Sequence, residues 1–327
     1  MGTLFSYLPS LFSVLLAAYP ASAQGVAKAE GPTPTIKVDV SLVNLTATVI
    51  DGAGRPVAAL QKDDFAIYEN GVPQTIAVFR NDEDIPVSVG IVFDTSGSMV
   101  DKIEDVGDAV VHFIDIVNPQ DDIFVMRFST ETSLVQDFTA DRRRLRQAVE
   151  RLRARGSTSL YEAIVESLEH IQSGRNQRKA LLVITDGNDT SSQIGLKQAV
   201  DLAIRSEVTI YCLGLGHGEQ GSFDHLEGLF KDTVDADALL AFSDATGGKT
   251  FILAGPHEKR GVDQIDRAVL DVAAELRRQY TLAYYPSTAR TAGGYSRIRV
   301  EVKKGNLSVR TREGYFASPT PSVSVHP

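Results

Sequence analysis

The sequence predicts an α/β fold: a doubly wound, mainly parallel sheet flanked by helices, inserted between segments of a small β-sandwich-like domain. Three observations carry this. Apolar, β-branched runs alternate with amphipathic helical stretches between residues 85 and 255, the pattern that gives right-handed crossovers and a parallel sheet covered on both faces. On either side of that region apolar residues recur with period two, as in half-buried strands. Each flank alone is too small to enclose a core, so the two are expected to pack together.

Taken in order, the first 23 residues contain no charged side chain, and the apolar run Leu11 to Tyr19 leads to Ala21-Ser22-Ala23. That is the pattern of a secretory signal with a small-residue cleavage site, although the usual amino-terminal Lys or Arg is missing. A signal peptide is expected at 1–23, and the mature chain is expected to be exported, periplasmic or extracellular. The run is too short for a membrane helix, Pro9 and Pro20 bracket it, and no later stretch is long and apolar enough to span a bilayer. Gly25, Gly31, Pro32 and Pro34 mark 24–35 as a flexible linker.

Residues 36–84 form the expected N-terminal β module. Val38, Val40 and Leu42, then Leu45, Ala47 and Val49, alternate with mostly polar positions, and Asp51 to Gly54 reads as a turn. The runs Phe65–Tyr68 and Thr75–Phe79 flank Glu69-Asn70-Gly71, and Asn-Gly between two such runs predicts a hairpin.

Residues 85–255 form the α/β unit. Strands are expected at Val87–Phe93, Ile123–Phe128, Leu181–Thr185, Val208–Leu213 and Thr250–Leu253. Helices are expected over 102–117, 141–154, 160–172 and 196–205, and another through Leu239, Leu240 and Phe242 that ends at Gly247-Gly248. A short antiparallel edge strand is expected at Ser133–Phe138, because only a brief turn separates it from Phe128. The stretch Gly216 to Asp235 lacks a period and reads as a surface insertion. In the C-terminal part, 256–316, a helix with Ile265, Val269, Val272 and Leu276 on its apolar face precedes strands near 280–285, 296–302 and 307–312. Helix and strands together are expected to pack with the N-terminal module. The tail at 317–327 is rich in Ser and Pro and is expected to be disordered.

Charge narrows the functional classes. Thirty-three Lys and Arg against 42 Asp and Glu leave a net charge of −9, which disfavours a nucleic-acid binder. The one basic run, Arg142-Arg143-Arg144 with Arg146, Arg151, Arg153 and Arg155, lies along a helix and its exit and reads as a solvated face. Cys212 is the single cysteine, so no internal disulfide is available; within an apolar run it reads as a small buried hydrophobe.

In open α/β sheets ligands bind beyond the carboxyl ends of the strands. The loops there hold Asp94-Thr95-Ser96-Gly97-Ser98 after the first strand, Gly156-Ser157-Thr158-Ser159 before the helix at 160, and Asp186-Gly187-Asn188-Asp189 after the strand Leu181–Thr185. Asp and Ser are common there merely as caps and turn formers. Three hard oxygen donors at alternate positions, joined by donors from two other loops, are more specific. An all-oxygen set of carboxylates and hydroxyls suits Mg²⁺, with Mn²⁺ or Ca²⁺ as alternatives. No His and Cys cluster with zinc spacing competes.

These residues resemble the von Willebrand factor type A domain, whose metal-ion-dependent adhesion site uses Asp-x-Ser-x-Ser, a Thr from a second loop and an Asp from a third. The resemblance covers roughly 87–253 and implies a doubly wound sheet with metal ligands Asp94, Ser96, Ser98, Thr158 and Asp186. It also implies a protein partner whose Asp or Glu completes the coordination. The flanks, with Asp51-Gly-Ala-Gly-Arg-Pro-Val, Asp64-Phe, Glu69-Asn-Gly, Tyr284-Tyr285-Pro286 and Arg312-Glu-Gly-Tyr315, resemble the secreted bacterial VWFA-related domain proteins described chiefly from Acidobacteria.

Other readings compete. A hydrolase would use Ser96 or Ser98, but neither lies in a Gly-x-Ser-x-Gly turn, and His112, His170, His217, His225, His257 and His326 have no motif tying them to those serines. Gly216-His-Gly-Glu-Gln-Gly221 matches a dinucleotide fingerprint formally, without the βαβ context that gives it meaning. Asp224, His225 and Glu227 are candidates for a second site, against ordinary solvated residues, and Asp189 for a supporting role at the metal loop, against a turn former. The function expected is an exported, non-enzymatic binding or adhesion protein; the alternative is a structural or assembly module with an unused metal site.

Overall fold

The computed structural model describes residues 42–81, 85–216, 235–254, 259–287 and 293–317. The expected signal peptide, linker, Val38 and Val40 of the first expected strand, most of the 216–235 insertion with Asp224, His225 and Glu227, and the C-terminal tail after Ala317 lie outside them, as does all but Gly216 of the glycine fingerprint.

The central sheet is built from β5 (Val87–Asp94), β6 (Asp122–Phe128), β7 (Thr132–Thr139), β8 (Arg178–Thr185), β9 (Thr209–Gly216) and β10 (Thr250–Ala254), which follow the strands β1 (Val43–Ile50), β2 (Phe65–Glu69), β3 (Val72–Gln74) and β4 (Ile76–Arg80). Its order is β10-β9-β8-β5-β6-β7. All neighbours are parallel except β6 and β7, which form the antiparallel edge read from the short connection. Every residue of β5 is buried. Its side chains alternate across the sheet: Val89, Ile91 and Phe93 join one core and Val92 the other. Gly90 between them has no room for more. A Cβ there would lie 2.3 Å from the Phe124 ring and 2.5 Å from Leu181.

Among the described residues six helices, α1 (Ile103–Ile116), α2 (Arg142–Glu150), α3 (Leu160–His170), α4 (Leu196–Ser206), α5 (Ala236–Thr246) and α6 (Lys259–Arg277), cover the two faces. Residues of α3, α4 and α5 pack into one core with Phe124 and Cys212. Residues of α1, α2 and α6 pack into the other. The last assignment corrects a sequence expectation. Ile265, Val269, Val272 and Leu276 of α6 share a core with Phe113, Tyr211 and Leu213 of the α/β unit, rather than with the β module. The physical reason is coverage: α6 lies against α1, β9 and β10, where the sheet face would otherwise meet water. An apolar stripe records that a helix covers something, and cannot say which surface.

The flanking strands, completed by β11 (Tyr280–Tyr284), β12 (Tyr295–Val302), β13 (Ser308–Arg310) and β14 (Gly314–Phe316), make two further sheets, ordered β13-β1-β11-β4 and β14-β12-β2-β3. Both sheets are mixed in origin. β1 pairs with β11 and β13, β4 with β11, and β2 with β12, so the long pairings join the first part of the chain to the last. Leu45, Phe65, Ile67, Tyr280, Tyr284 and Ile298 form their shared core. The Asn70-Gly71 turn is present, with both residues at positive φ, +50° and +83°, as a two-residue hairpin of this kind requires. Its second arm, however, is β3, pairing Glu69 with Val72, and the chain then crosses to the other sheet as β4. The expected hairpin partner Thr75–Phe79 is thereby corrected: a period-two run does not reveal a change of sheet.

Glu69 ties the two sheets together. It is 1% exposed, and its carboxylate accepts the hydroxyls of Tyr284 and Tyr315, each at 2.9 Å. Three of the flank motifs noted in the sequence thus meet at one buried carboxylate. Arg178 at the start of β8 donates to Gln279 O and Thr281 Oγ1, both at 2.9 Å, and Arg312 donates to Asn44 O at 2.7 Å and Glu207 Oε1 at 2.9 Å. These bonds fasten the amino-terminal end of the central sheet to the β module, leaving its carboxyl end for a site. A cavity of about 580 Å³, lined in part by Arg178, Lys179, Glu207, Thr209 and Arg312, lies at that fastened end, away from the candidate residues.

Candidate metal centre

Asp94 closes β5 and Asp186 comes directly after β8, and these two parallel strands are neighbours. They are also where the winding reverses, since β5 leads to β6 on one side and β8 to β9 on the other. That is the switch point at which open sheets hold ligands. The strand register, Phe93 beside Ile184, sets Thr185 next to Asp94, and the Thr185 hydroxyl donates to Asp94 Oδ2 at 2.6 Å.

The first loop folds over its own carboxylate. Ser96 N donates to Asp94 Oδ1 at 2.7 Å. The Ser96 and Ser98 hydroxyls lie 3.0 Å apart, and Ser98 Oγ donates to Asp186 Oδ1 at 2.7 Å. Alternate spacing has the consequence expected of it: residues 94, 96 and 98 turn their oxygens to one place. The second loop is stitched to the first by Gly97 N to Gly156 O at 2.9 Å and Arg155 N to Thr95 O at 2.6 Å. Gly156, at φ +92°, supplies the left-handed turn that lets this loop pass. Thr158 is then locked to the third loop, because its carbonyl accepts Thr190 N at 2.8 Å and Ser191 N at 3.1 Å. A Cβ on Gly187 would lie 3.5 Å from Thr158 Oγ1 and 3.9 Å from Ser98 Oγ, so both hydroxyls border the Asp186-Gly187 turn. All five residues singled out in the sequence are therefore gathered at one edge.

Asp94 is fully buried, and Thr158 and Asp186 are 6% and 2% exposed, while Ser98 is exposed at the surface. Burial pushes the Asp94 carboxyl up to about 6; the hydrogen bonds from Thr185 and Ser96 pull against it, and the neighbouring Asp186 adds to the rise. A buried carboxylate pair of this kind is stabilised by a cation. The donor set, two carboxylates and three hydroxyls, fits a hard divalent ion that keeps some of its water. Among the described residues no group of three His, Cys, Asp or Glu offers an alternative centre.

Sequence reasoning misses Lys102. It stands at the N-cap of α1, 6% exposed, and its ammonium is ion-paired with Asp186 Oδ2. A signal exists: a lysine opening a helix opposes the helix dipole and needs a local anion to hold it. Asp189 is a turn former and cap. It accepts Ser192 Oγ at 2.6 Å and Tyr161 N, in the first turn of α3, at 3.2 Å. Cys212 is buried among apolar residues, which raises its thiol to about 12. Of the histidines, the described His112 and His170 pair with Asp266 and Asp137.

The fold is thus a doubly wound sheet with Asp94-Thr95-Ser96-Gly97-Ser98 on its first loop and Thr158 and Asp186 on two others. Residues 88–246 match the von Willebrand factor type A domain model. It is 27% identical over 138 residues to an uncharacterized protein of Borreliella burgdorferi, covering 39% of this chain and 40% of that one. It is 24% identical over 209 residues to the inter-alpha-trypsin inhibitor heavy chain H4 of Bos taurus, covering 56% of this chain and 22% of that one. The chain spans less than half the length of each of these curated relatives. Among solved structures it is similar to a von Willebrand factor type A protein from Catenulispora acidiphila, with TM-score 0.49 and 15% identity over 88% of this chain and 76% of that one.

Proposed function

We propose that this is an exported, non-enzymatic binding protein that engages a protein partner through a divalent cation held by Asp94, Ser96, Ser98, Thr158 and Asp186. The partner contributes an Asp or Glu side chain to the shell. The observation that carries this reading is the linked set Asp94, Ser96, Ser98 and Asp186, whose polar atoms are joined by contacts of 2.7 to 3.0 Å and reach the surface at Ser98. When bound, Mg²⁺ supplies an electrophilic position for a carboxylate oxygen; the chain's own part is to fix the oxygens, shield Asp94 and leave one side open. Val100, two residues after Ser98 in the chain, is 58% exposed, an apolar side chain available to a partner near the cluster.

One observation favours the alternative, an assembly module with an unused metal site: the Lys102 ammonium already neutralises Asp186. The two are separated by titrating the purified chain with Mn²⁺ and by capturing partners from the native envelope with Mg²⁺ or with chelator. Metal-dependent capture that is lost in Asp94→Ala and Thr158→Ala, with circular dichroism unchanged, is the expected result. Capture that survives both the chelator and these substitutions removes the adhesion reading.

A further inference from the structure

We propose that Lys102 is a tethered competitor of the divalent cation for Asp186, so that loading the site is an exchange of one cation for another. The inference rests on the reading of the cluster as a cation site and concerns how that site is regulated. Lys102 Nζ is paired with Asp186 Oδ2 while Ser98 Oγ holds Oδ1. The ammonium is buried at the opening of α1, where the helix dipole disfavours it. Asp186 therefore keeps it there.

The balance of charge favours exchange over simple addition. Asp94 and Asp186 with Lys102, all three buried, leave one net negative charge. A divalent cation added with Lys102 in place would leave one net positive charge, whereas a divalent cation in exchange for Lys102 leaves none. Uncompensated charge is costly where water is excluded, so the lysine is displaced. Lys102 begins α1 and Asp186 lies 84 residues further along. Releasing the lysine breaks an ion pair between the N-cap of α1 and the Asp186 loop, and so couples cation loading to that end of the helix.

The test uses the full chain with Mn²⁺ alone as the probe. Lys102→Met and Lys102→Gln should bind Mn²⁺ about tenfold tighter or more, as expected when a like charge is removed from a poorly screened site, and Lys102→Arg should stay close to the unaltered protein. Without metal the Met and Gln variants should melt at lower temperature, and saturating Mn²⁺ should close the gap. In the unaltered chain, saturating Mg²⁺ should increase acylation of Lys102 by an amine-reactive ester, read by mass spectrometry. Unchanged or weaker Mn²⁺ affinity in the variants, or Lys102 labelling indifferent to Mg²⁺, overturns the exchange and leaves the cation site standing. Absence of Mn²⁺ binding in every variant and in the unaltered chain overturns the cation-site reading itself.

Discussion

The Thr185 hydroxyl donates to Asp94 Oδ2 at 2.6 Å across two adjacent parallel strands. This bond opposes the desolvation of Asp94, and a hydrogen bond to a charged group contributes about 1.5–3 kcal/mol. Thr185→Val should lower stability by that order in metal-free buffer, whereas Thr185→Ser should recover most of it. Urea midpoints at constant slope provide the measurement; equal midpoints for Val and Ser would mean that the bond is not what holds the carboxylate.

Asp121 gives a pH prediction. It is 3% exposed and accepts Val87 N at 2.7 Å. Burial raises its carboxyl to about 6, with the Val87 hydrogen bond and the charge of Arg142 opposing. A carboxyl raised on folding favours the native state most below its unfolded value near 3.8, and that contribution is lost as pH rises through about 6. Asp121→Asn keeps an accepting oxygen without the charge. It should therefore stabilise the protein at pH 7.5 by about 1–3 kcal/mol and make little difference near pH 4, as followed by denaturant unfolding at both values.

Glu69 should behave as a shared anchor for two tyrosines. Removing one donor, in Tyr284→Phe or Tyr315→Phe, should cost about 1–3 kcal/mol, because a buried carboxylate loses one of its partners. A double-mutant cycle should show coupling, since both hydroxyls act on the same carboxylate. Additive losses would place the two tyrosines in independent roles.

Gly90→Ala tests the packing of the central strand. With a Cβ placed 2.3 Å from Phe124, the core must shift, and overpacking of this kind typically costs about 1–3 kcal/mol. The expected phenotype is a lower melting temperature with the spectrum of the fold retained.

Much of this protein is written locally. The buried run Val87–Phe93, the amphipathic stretch after it and the alternate oxygens of Asp94, Ser96 and Ser98 are each visible within a few residues, because strand and helix periods and turn chemistry are short-range properties. Thr158 and Asp186 are legible too, since each lies on a loop whose place at the sheet edge comes from strand-helix alternation. Other features depend on partners distant in the chain. The destination of α6, the passage from β3 into the other sheet and the meeting of Tyr284 and Tyr315 on Glu69 are settled by tertiary packing. So is Lys102, whose partner Asp186 is 84 residues away. A sequence period reports that a face is buried and a residue type reports which bonds it can make; which surface covers the face, and which charge answers the charge, is decided only when the whole chain closes around both.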